Sequence, residues 1–561
     1  MNRILLFALF LITFSSSFGQ SLPDLIDTYR ADKGALERKY NNHLSQEAFD
    51  RMQVFYADWL SSLNSLDFDK LQQSQKVDFV LLRNLIEKNQ NQHSIDYALF
   101  NEVKDVSNQL GVLYDFVKER SAGKNPNSEK LAADFHEAEI RVRKQFEEHK
   151  KAKKYNSWQK AELASNTIAA LKKSSKEAFL FYDGYNPSFM WWVKTPFNKL
   201  MKTLEEYEKF LKDHFENTLV KDDGSGIIGK PIGRKAILKE LEYEFIPYTP
   251  EELITEANKQ FAWCEKEMLK ASEELGYGKD WKKALEHVKN TYVPPGQWQE
   301  DVNKFAHEAI GFLQERDLIT IPPLAIESFR TIMISAERQK VSPFFLGGEV
   351  IQVAYPTDEM EHEDKMMSMR GNNPHFSHAT IQHELIPGHH LQQFMNKRNK
   401  TYRQGFYTPF WMEGWALYWE LNLWDKGFSQ SPEDKIGMLF WRMHRCARII
   451  FSLNYHLEKM TPQECIDLLV NKVGHERANA EAEVRRSFTG GYGPLYQIAY
   501  MMGGLQFYNL KKQLVDTGKM SEKAFHDIIM QNNAIPVEMV RAILLNEEVS
   551  KDRKSEWRFL D

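Results

Sequence analysis

The sequence predicts a mainly α-helical protein in which two helical halves surround a substrate cleft. Four long segments place apolar residues three and four positions apart among charged residues, which is the period of an amphipathic helix. These segments are residues 46–63, 71–89, 198–217 and 251–275. Strand patterns are few, and the two best cover residues 227–232 and 344–355. We therefore expect helices throughout, with one small β-sheet near the functional site.

Composition bounds the number of domains and the kinds of partner. The chain has 561 residues, more than a single domain usually contains. We divide the mature chain into an N-terminal helical region, residues 20–330, and a C-terminal region, residues 331–561, which carries the motifs. A hydrophobic content of 42 % is typical of a globular protein, and a net charge of −5 gives no sign of nucleic-acid binding.

Residues 1–19 have the pattern of a secretory signal peptide. Asn2-Arg3 forms a short positive region, an apolar run covers residues 4–14, and small residues precede Gln20. The apolar run is too short for a stable membrane span, and no other stretch is long enough. No cysteine follows the signal to suggest a lipid anchor. We therefore expect a periplasmic or secreted protein without stable membrane insertion.

The cysteines do not form a recognisable framework. Cys264, Cys446 and Cys465 are widely separated and odd in number. This spacing predicts neither a set of disulfides nor a cysteine-based zinc cluster. We expect buried thiols, with at most one bridge.

The most specific motif is the run His383-Glu384-Leu385-Ile386-Pro387-Gly388-His389-His390. In H-E-x-x-H enzymes the two histidines bind zinc from one face of a helix, and the glutamate between them is the general base. Here two extra residues precede the next histidine. On a regular helix His389 would therefore point about 120° away from His383.

The two inserted residues also suggest how the histidines could still meet. Pro387 has no N–H to donate to the preceding turn, and Gly388 tolerates positive φ at little cost. We therefore predict a helix bulge that rotates His389 back towards His383. Other histidines that could serve as the second ligand are His390, His375 and His378.

Two motifs resemble those of a known family. The segment from His383 to Gln392 resembles the H-E-x-x-P-G-H-H-x-Q signature of the domain-of-unknown-function 885 family. The run Glu413-Gly414-Trp415-Ala416, together with Tyr418 and Glu420, matches the E-G-W-A-x-Y-x-E motif of the same family. That family is placed with zinc peptidases of the H-E-x-x-H type, so the resemblance implies a metallopeptidase that uses Zn²⁺.

The resemblance also implies roles for individual residues. Gluzincins use a glutamate, often within an E-G-[FW]-A run, as the third zinc ligand, and Glu413 matches that residue. His383 and His389 would complete the zinc site, with Glu384 as the base. Glu420 and His390 are expected to support the ligands from behind.

Residues 489–500 form a third motif, a glycine-rich loop followed by Tyr496 and Tyr500. The family pattern P-x-Q-A-x-x-Y-x-x-G matches at Pro494, Tyr500 and Gly503, but Tyr496 stands where the pattern has Gln. The run is also similar to the Gly-Gly-Tyr loop of thimet-type oligopeptidases, whose tyrosines stabilise the tetrahedral intermediate. Both tyrosines are therefore candidate donors to an oxyanion, and core packing is the alternative.

Two further pairs are candidates for binding a substrate. Arg485 and Arg486 could hold a substrate carboxylate in a bidentate manner, although a structural or surface ion pair is the more ordinary role for either. Gly347 and Gly348 lie in the predicted strand at 344–355, whose edge could pair with an extended peptide.

Together the motifs predict zinc-dependent hydrolysis of peptide bonds in short peptides. Zn²⁺ is held by His383, His389 and Glu413, and Glu384 takes a proton from water. One alternative is a metal-dependent amidase or esterase with the same site, and another is a non-catalytic helical protein that binds peptides. An intact Glu384 argues against the last, because binding alone needs no general base.

Overall fold

The computed structural model describes residues 21–40, 45–152, 155, 157–214, 221–339 and 347–560. Within these ranges the chain is mainly α-helical, as predicted, with 24 α-helices and two short strands. The predicted signal peptide lies outside the described residues.

Twelve of the described helices lie before residue 316. They are α1 (Leu22–Lys39), α2 (Gln46–Asn64), α3 (Gln73–Glu102), α4 (Lys104–Gln109), α5 (Gly111–Ser121), α6 (Ser128–Ala152), α7 (Trp158–Tyr182), α8 (Pro187–His214), α9 (Gly233–Tyr243), α10 (Pro250–Glu274), α11 (Trp281–Lys289) and α12 (Trp298–Glu315). The four predicted segments correspond to α2, α3, α8 and α10, so the helical period was a sufficient signal there. Helix α8 begins before the predicted residue 198 and continues through Pro196.

The other twelve described helices include those that carry the motifs. They are α13 (Pro323–Ser328), α14 (Ala336–Gln339), α15 (His362–Gly371), α16 (Pro374–Glu384), α17 (His389–Asn396), α18 (Pro409–Asp425), α19 (Pro432–His456), α20 (Pro462–Leu468), α21 (Arg477–Thr489), α22 (Tyr496–Leu514), α23 (Glu522–Met530) and α24 (Val537–Leu544). Short 3₁₀ segments cover Phe68–Lys70 and Thr401–Phe406, and a π-helical segment covers Leu469–Val473.

The two described strands form one small parallel sheet. Strand β1 (Thr331–Met333) pairs with β2 (Ile351–Val353), and Ile332 lies opposite Gln352. Strand β2 falls within the predicted strand at 344–355, of which residues 344–346 lie outside the described part.

The other predicted strand, at 227–232, is wrong. The chain is irregular there, and the described residues offer no strand with which it could pair. Gly229 instead packs against Tyr455, so closely that a Cβ atom at Gly229 would overlap the tyrosine hydroxyl. A short apolar run becomes a strand only where a partner strand is present, and the sequence pattern alone does not reveal the partner.

The contacts among Cα atoms divide the chain into two compact units. Unit 1 contains the described residues of Met1–Ala31, Asp67–Leu82 and Gly229–Asp561, and unit 2 contains those of Asp32–Leu66 and Arg83–Ile228. Unit 1 therefore includes residues 229–330, which the sequence-based division places in the N-terminal region. All the motifs lie in unit 1.

Among the helices of unit 1 that begin with a capping side chain followed by proline, three carry residues of the site described below. In each, the capping oxygen accepts a hydrogen bond from a backbone N–H of the first turn. Proline fits the first helical position because it has no N–H to leave unpaired there. The three pairs are Asn373-Pro374 before α16, Thr408-Pro409 before α18 and Ser431-Pro432 before α19. The sequence thus determines where these helices start.

The cysteines and the helix hydropathy agree with the sequence analysis. Cys264, Cys446 and Cys465 are all buried and free. Within the described ranges, every helix is too short or too polar to cross a lipid bilayer.

Candidate metal-binding site

The first motif is divided between two helices. Helix α16 ends at Glu384, α17 begins at His389, and residues 385–388 form a turn between them with a cis Ile386–Pro387 peptide bond. The predicted bulge within one continuous helix is therefore wrong in form, because the helix stops and restarts. The predicted consequence is nevertheless seen, since the rings of His383 and His389 lie 4.9 Å apart.

Contacts with neighbouring backbone and side-chain groups hold this turn. The N–H of Gly388 donates to the carbonyl of Gln382 at 2.9 Å, and the indole N–H of Trp415 donates to the carbonyl of Pro387 at 2.9 Å. Trp415 belongs to the second motif, so α18 fixes the position of the interruption in the first.

Gly388 is needed in the turn for space and not for a positive φ. Its φ is −79°, which any residue can adopt. A Cβ atom at Gly388, however, would overlap the carbonyl oxygens of His383 and Gln382. The expectation that Gly388 supplies a left-handed conformation is therefore corrected: the absent side chain lets α17 approach the end of α16.

Three side-chain atoms from the two motifs converge on one point. Nε2 of His383 lies 3.4 Å from Oε2 of Glu413, and Nε2 of His389 lies 3.3 Å from the same oxygen. Two ligands that each bind a tetrahedral zinc ion at 2.0–2.1 Å are about 3.3 Å apart. Both separations therefore match the edge of a zinc tetrahedron.

The opposite nitrogen of each imidazole faces an acceptor. Nδ1 of His383 lies 2.7 Å from Oε1 of Glu420, and Nδ1 of His389 lies 3.1 Å from Oε1 of Gln392. Acceptors at these distances favour a proton on Nδ1 and leave the lone pair of Nε2 directed at the point of convergence. Gln392 also donates to the carbonyl of Met412 at 2.7 Å, which ties α17 to α18.

Glu384 lies beside this group but is held differently. Its Oε2 accepts a hydrogen bond from the backbone N–H of Gly347, and its Oε1 is 4.0 Å from Nε2 of His383. Atoms of His383, Glu384 and His389 lie within 4.8 Å of one another, so Glu384 could also reach an ion bound there. We assign the third ligand to Glu413, because its Oε2 is nearer to both histidines.

The neighbouring carboxylates favour positive charge at the point where His383, His389 and Glu413 converge. Burial lowers the pKa of His389, but Glu413 and then Glu384 outweigh burial and raise that pKa to about 9. Burial raises the pKa of Glu413, yet His389 and His383 hold it well below its usual range. Oε2 of Glu413 is buried and has no hydrogen-bond partner among the described residues. A set of two imidazoles and a carboxylate around such an oxygen fits a zinc ion.

Helix α22 brings the tyrosines of the third motif to the site. It packs against α18 at Gly414 and Gly503, where a Cβ atom on either glycine would overlap the other backbone. The hydroxyl of Tyr496 donates to Oε1 of Glu413, and the ring of Tyr500 stacks on His383 with centroids 6.0 Å apart. Tyr496 thus holds a candidate ligand, and Tyr500 covers another.

A cavity of about 280 Å³ opens onto this group. Its walls combine the metal-ligand candidates with aromatic and cationic side chains, many of which come from α16, α19, α21 and α22. The lining residues include His383, Glu384, His389, Glu413, Gly347, Gln352, Tyr492, Tyr496, Tyr500, Arg445, Arg448 and Arg486.

Some predicted residues are not brought to the cavity. The ring nitrogens of His390 lie 3.1 Å from the carbonyl of Gly348 and 2.8 Å from that of Ala325, so His390 does not support the other histidines as expected. Gly348 itself does not line the cavity, although Gly347 does. Arg485 does not line it either, whereas Arg486 does.

The two reserve histidines also lie away from the point of convergence. His375 lies 2.7 Å from Asp434, and His378 lies 3.3 Å from Glu308. Each therefore pairs with a carboxylate of its own.

The sequence analysis assigned no role to three residues that surround the site. Gln392 was present in the first motif but received no role. Arg445 and Arg448 belong to α19 and follow the apolar run Phe440-Trp441 one and two turns later. Two arginines three residues apart in a helix that is otherwise apolar on that side are an available signal, because buried charges need a specific partner or purpose.

The chain matches one known family over most of its length. The model of that family, described as a bacterial protein of unknown function (DUF885), matches residues 28–544. No curated protein matches the chain.

Two solved structures have a similar fold. One is described as a lipoprotein of unknown function from Shewanella oneidensis, with a TM-score of 0.68 and 17 % identity over 94 % of this chain and 100 % of that one. The other is described as a lipoprotein from Colwellia psychrerythraea, with a TM-score of 0.61 and 15 % identity over 94 % of this chain and 99 % of that one. At such identities the similarity shows the fold alone.

Proposed function

The chain belongs to the DUF885 family of bacterial proteins of unknown function, and we propose that it is a zinc-dependent peptidase that acts on short peptides. One observation supports this proposal above the others. Two imidazole nitrogens lie 3.3 Å and 3.4 Å from one carboxylate oxygen, with a second carboxylate, Glu384, beside them. That arrangement supplies three zinc ligands and a separate base.

His383, His389 and Glu413 would hold the ion. A zinc ion in such a site polarises a carbonyl group and makes water more acidic. Glu420 and Gln392 keep the two imidazoles oriented through their Nδ1 atoms, and Tyr496 keeps the Glu413 carboxylate in place through Oε1.

Glu384 is the proposed general base. The hydrogen bond from the N–H of Gly347 to Oε2 leaves Oε1 directed towards the histidines, where it can take a proton from water. The protonated carboxyl group then donates the proton to the leaving amine. Tyr500, which lines the cavity against His383, is the better placed tyrosine to donate to the developing oxyanion, because the hydroxyl of Tyr496 already binds Glu413.

The small sheet favours a peptide as the substrate. Ile351 and Val353 direct their backbone groups to β1, since the N–H of Ile351 donates to Arg330 at 2.8 Å and the carbonyl of Val353 accepts from Ile334 at 3.0 Å. Gln352, between them, therefore presents its N–H and carbonyl on the other edge, and it lines the cavity. An extended peptide could pair with this edge.

Two features support an exported protein. Residues 1–19 have the pattern of a signal peptide, and both similar structures are described as lipoproteins. We propose a location in the cell envelope or outside the cell.

Metal analysis and peptide hydrolysis test the proposal. The purified protein should carry one zinc ion per chain and should cleave a mixture of short synthetic peptides, with cleavage read by mass spectrometry. A chelator should abolish cleavage, and added Zn²⁺ should restore it. A protein with zinc that hydrolyses esters or simple amides but no peptide would favour the amidase or esterase alternative. A protein that binds peptides without zinc and without cleavage would overturn the proposal.

A further inference from the structure

Three buried arginine side chains line the cavity beside the proposed zinc site. Arg445 and Arg448 come from α19, and Arg486 comes from α21. They are only 4 %, 2 % and 8 % exposed. Arginines are rarely buried without a purpose, because a guanidinium group loses strong hydration when it leaves water.

Two buried carboxylates hold the three arginines. Arg448 and Arg486 each donate through Nε to Glu483 at 2.7 Å, one to each carboxylate oxygen. Arg445 donates through Nη2 to Glu420 at 3.3 Å. The arginines are thus fixed in orientation, and their remaining N–H groups are not used by these pairs.

The charges in this wall of the cavity do not balance. Three guanidinium groups face two carboxylates, Glu420 and Glu483. Burial raises the pKa of Glu483, but Arg448 and Arg486 lower it to about 2, so Glu483 stays charged. The two nearby histidines stay neutral and so add no further positive charge: burial lowers the pKa of His475 to about 3, and burial together with Arg448 holds the pKa of His444 well below its usual range. One positive charge is left over.

Unpaired donors accompany the excess charge. Nη1 of Arg448 and Nε of Arg445 are buried and have no hydrogen-bond partner among the described residues. A buried donor without a partner costs free energy, and two such donors on neighbouring guanidinium groups could each pair with an oxygen of a carboxylate.

The ring of Tyr500 lies near both the arginines and His383, so it relates the position of the arginines to the proposed zinc site. The guanidinium carbons of Arg445 and Arg448 lie 4.8 Å and 4.4 Å from the centre of its ring, and the His383 ring lies 6.0 Å from the same point. An extended peptide advances about 3.3–3.6 Å per residue. Arg445 and Arg448 therefore lie within about three residues of a peptide bond placed at the zinc ligands, and Arg486 shares Glu483 with Arg448.

We propose that Arg445, Arg448 and Arg486 form a subsite for the free C-terminal carboxylate of the substrate. The protein would then be a carboxypeptidase that releases one to three residues from the C-terminus. This inference rests on the proposed peptidase function and specifies its substrate class. It also replaces the predicted pair of Arg485 and Arg486, since only Arg486 reaches the cavity.

A pair of peptides tests the subsite directly. The zinc-loaded protein is given an N-acetylated hexapeptide of neutral residues with a free C-terminus, and the same peptide as its C-terminal amide. We expect cleavage within three residues of the free C-terminus, and kcat/KM lower by roughly 30-fold or more for the amide, because the amide leaves buried arginines unpaired. A third peptide, a C-terminal amide with glutamate near its end, shows whether the arginines bind a side-chain carboxylate in place of the C-terminal one.

Variants of Arg486 connect the preference to the subsite. Arg486→Met should bring the ratio of the two kcat/KM values towards one without removing zinc. Arg486→Lys keeps the charge but loses the planar fork, and should give an intermediate ratio. Arg477→Met is the matched control, because Arg477 lies on the same helix and forms an exposed pair with Asp467; its ratio should stay that of the unmodified protein.

The outcomes separate the two proposals. Equal cleavage of acid and amide, or equal cleavage of the amide that carries glutamate, would overturn the C-terminal subsite and leave the peptidase intact. Zinc binding without cleavage of any peptide would overturn the peptidase, and the subsite with it. If Arg486→Met does not fold, the peptide pair and Arg486→Lys still decide.

Discussion

The interiors of the two compact units bury different kinds of side chain. In unit 2 the core between Val103 and Leu211 is aliphatic and aromatic, and among its described residues the only buried carboxylate, imidazole or cationic side chains are those of Glu139 and His149. Glu139 pairs with Arg143, which is 44 % exposed. In unit 1 the helices of the cavity bury a dense set of charged groups, namely Glu413, Glu420, Glu483, Arg445, Arg448 and Arg486.

This difference separates side chains that stabilise the fold from side chains that form the proposed functional site. Burial of a charge costs several kcal/mol, and well-packed apolar residues are often at least as stabilising as a buried ion pair. The apolar core of unit 2 needs no explanation beyond stability. The charged interior of unit 1 does need one, and the proposed metal site and carboxylate subsite would account for its composition.

The largest effect should come from the proposed base. Glu384→Gln keeps the size of the side chain and removes its ability to take a proton, so peptide cleavage should fall by at least about 10³-fold while one zinc ion stays bound. Cleavage assays and metal analysis on the same sample measure both. Glu349→Gln, in an exposed residue paired with Lys397, is the control. Full activity in Glu384→Gln would refute the mechanism.

The adjacent histidines should differ sharply. His389→Ala removes a ligand and should abolish stoichiometric zinc binding, as measured by metal analysis. His390→Ala should retain zinc, because both ring nitrogens of His390 face backbone carbonyls, at distances of 2.8 Å and 3.1 Å. The reverse pattern would mean that His390 is the ligand and that the arrangement of α17 is different.

A cavity in the apolar core should affect stability alone. Leu200 is fully buried in unit 2, and Leu200→Ala should lower the free energy of unfolding by about 2–5 kcal/mol. Denaturant titration checks the stability, and metal analysis of the folded variant should still show one zinc ion. Loss of zinc from folded Leu200→Ala would contradict the separation of roles between the units.

A single methyl group at the helix break should disturb the metal site without touching a ligand. Gly388→Ala places a Cβ atom against the carbonyls of His383 and Gln382, so we expect a cost of about 1–3 kcal/mol and weaker zinc binding. Competition with a chelating dye measures the zinc affinity. Gly311→Ala, in α12 with no atom within 4 Å of the new Cβ, should be neutral or slightly stabilising. Unchanged zinc affinity in Gly388→Ala would show that the turn can relax.

The smallest effect should come from the carboxylate behind His383. Glu420→Gln weakens the contact with Nδ1 of His383 and should lower zinc affinity by about 10–100-fold. The matched control is Asp434→Asn, which alters a similar contact with His375 away from the site. If both variants bind zinc with unchanged affinity, Glu420 does not orient the ligand.

The sequence by itself determined the helical class and supplied the candidate residues of the proposed metal site. A period of three to four residues and the cap-proline pairs are local signals, so α2, α8, α10, α16 and α18 could be placed from the chain alone. The two motifs contained His383, His389 and Glu413, and the structure brings them within 3.4 Å. These residues could be named from the chain because each motif is a short local run, although the first motif is divided between α16 and α17.

Only the tertiary structure decided the features that depend on separated segments. The break between α16 and α17 is held by Trp415, the assignment of Tyr496 to Glu413 depends on the packing of α22 on α18, and His390 is turned away by carbonyls from other parts of the chain. The predicted strand at 227–232 failed for the same reason. A hydrogen bond or a close approach between distant segments has no signature in either segment, because its energy exists only when both are in place.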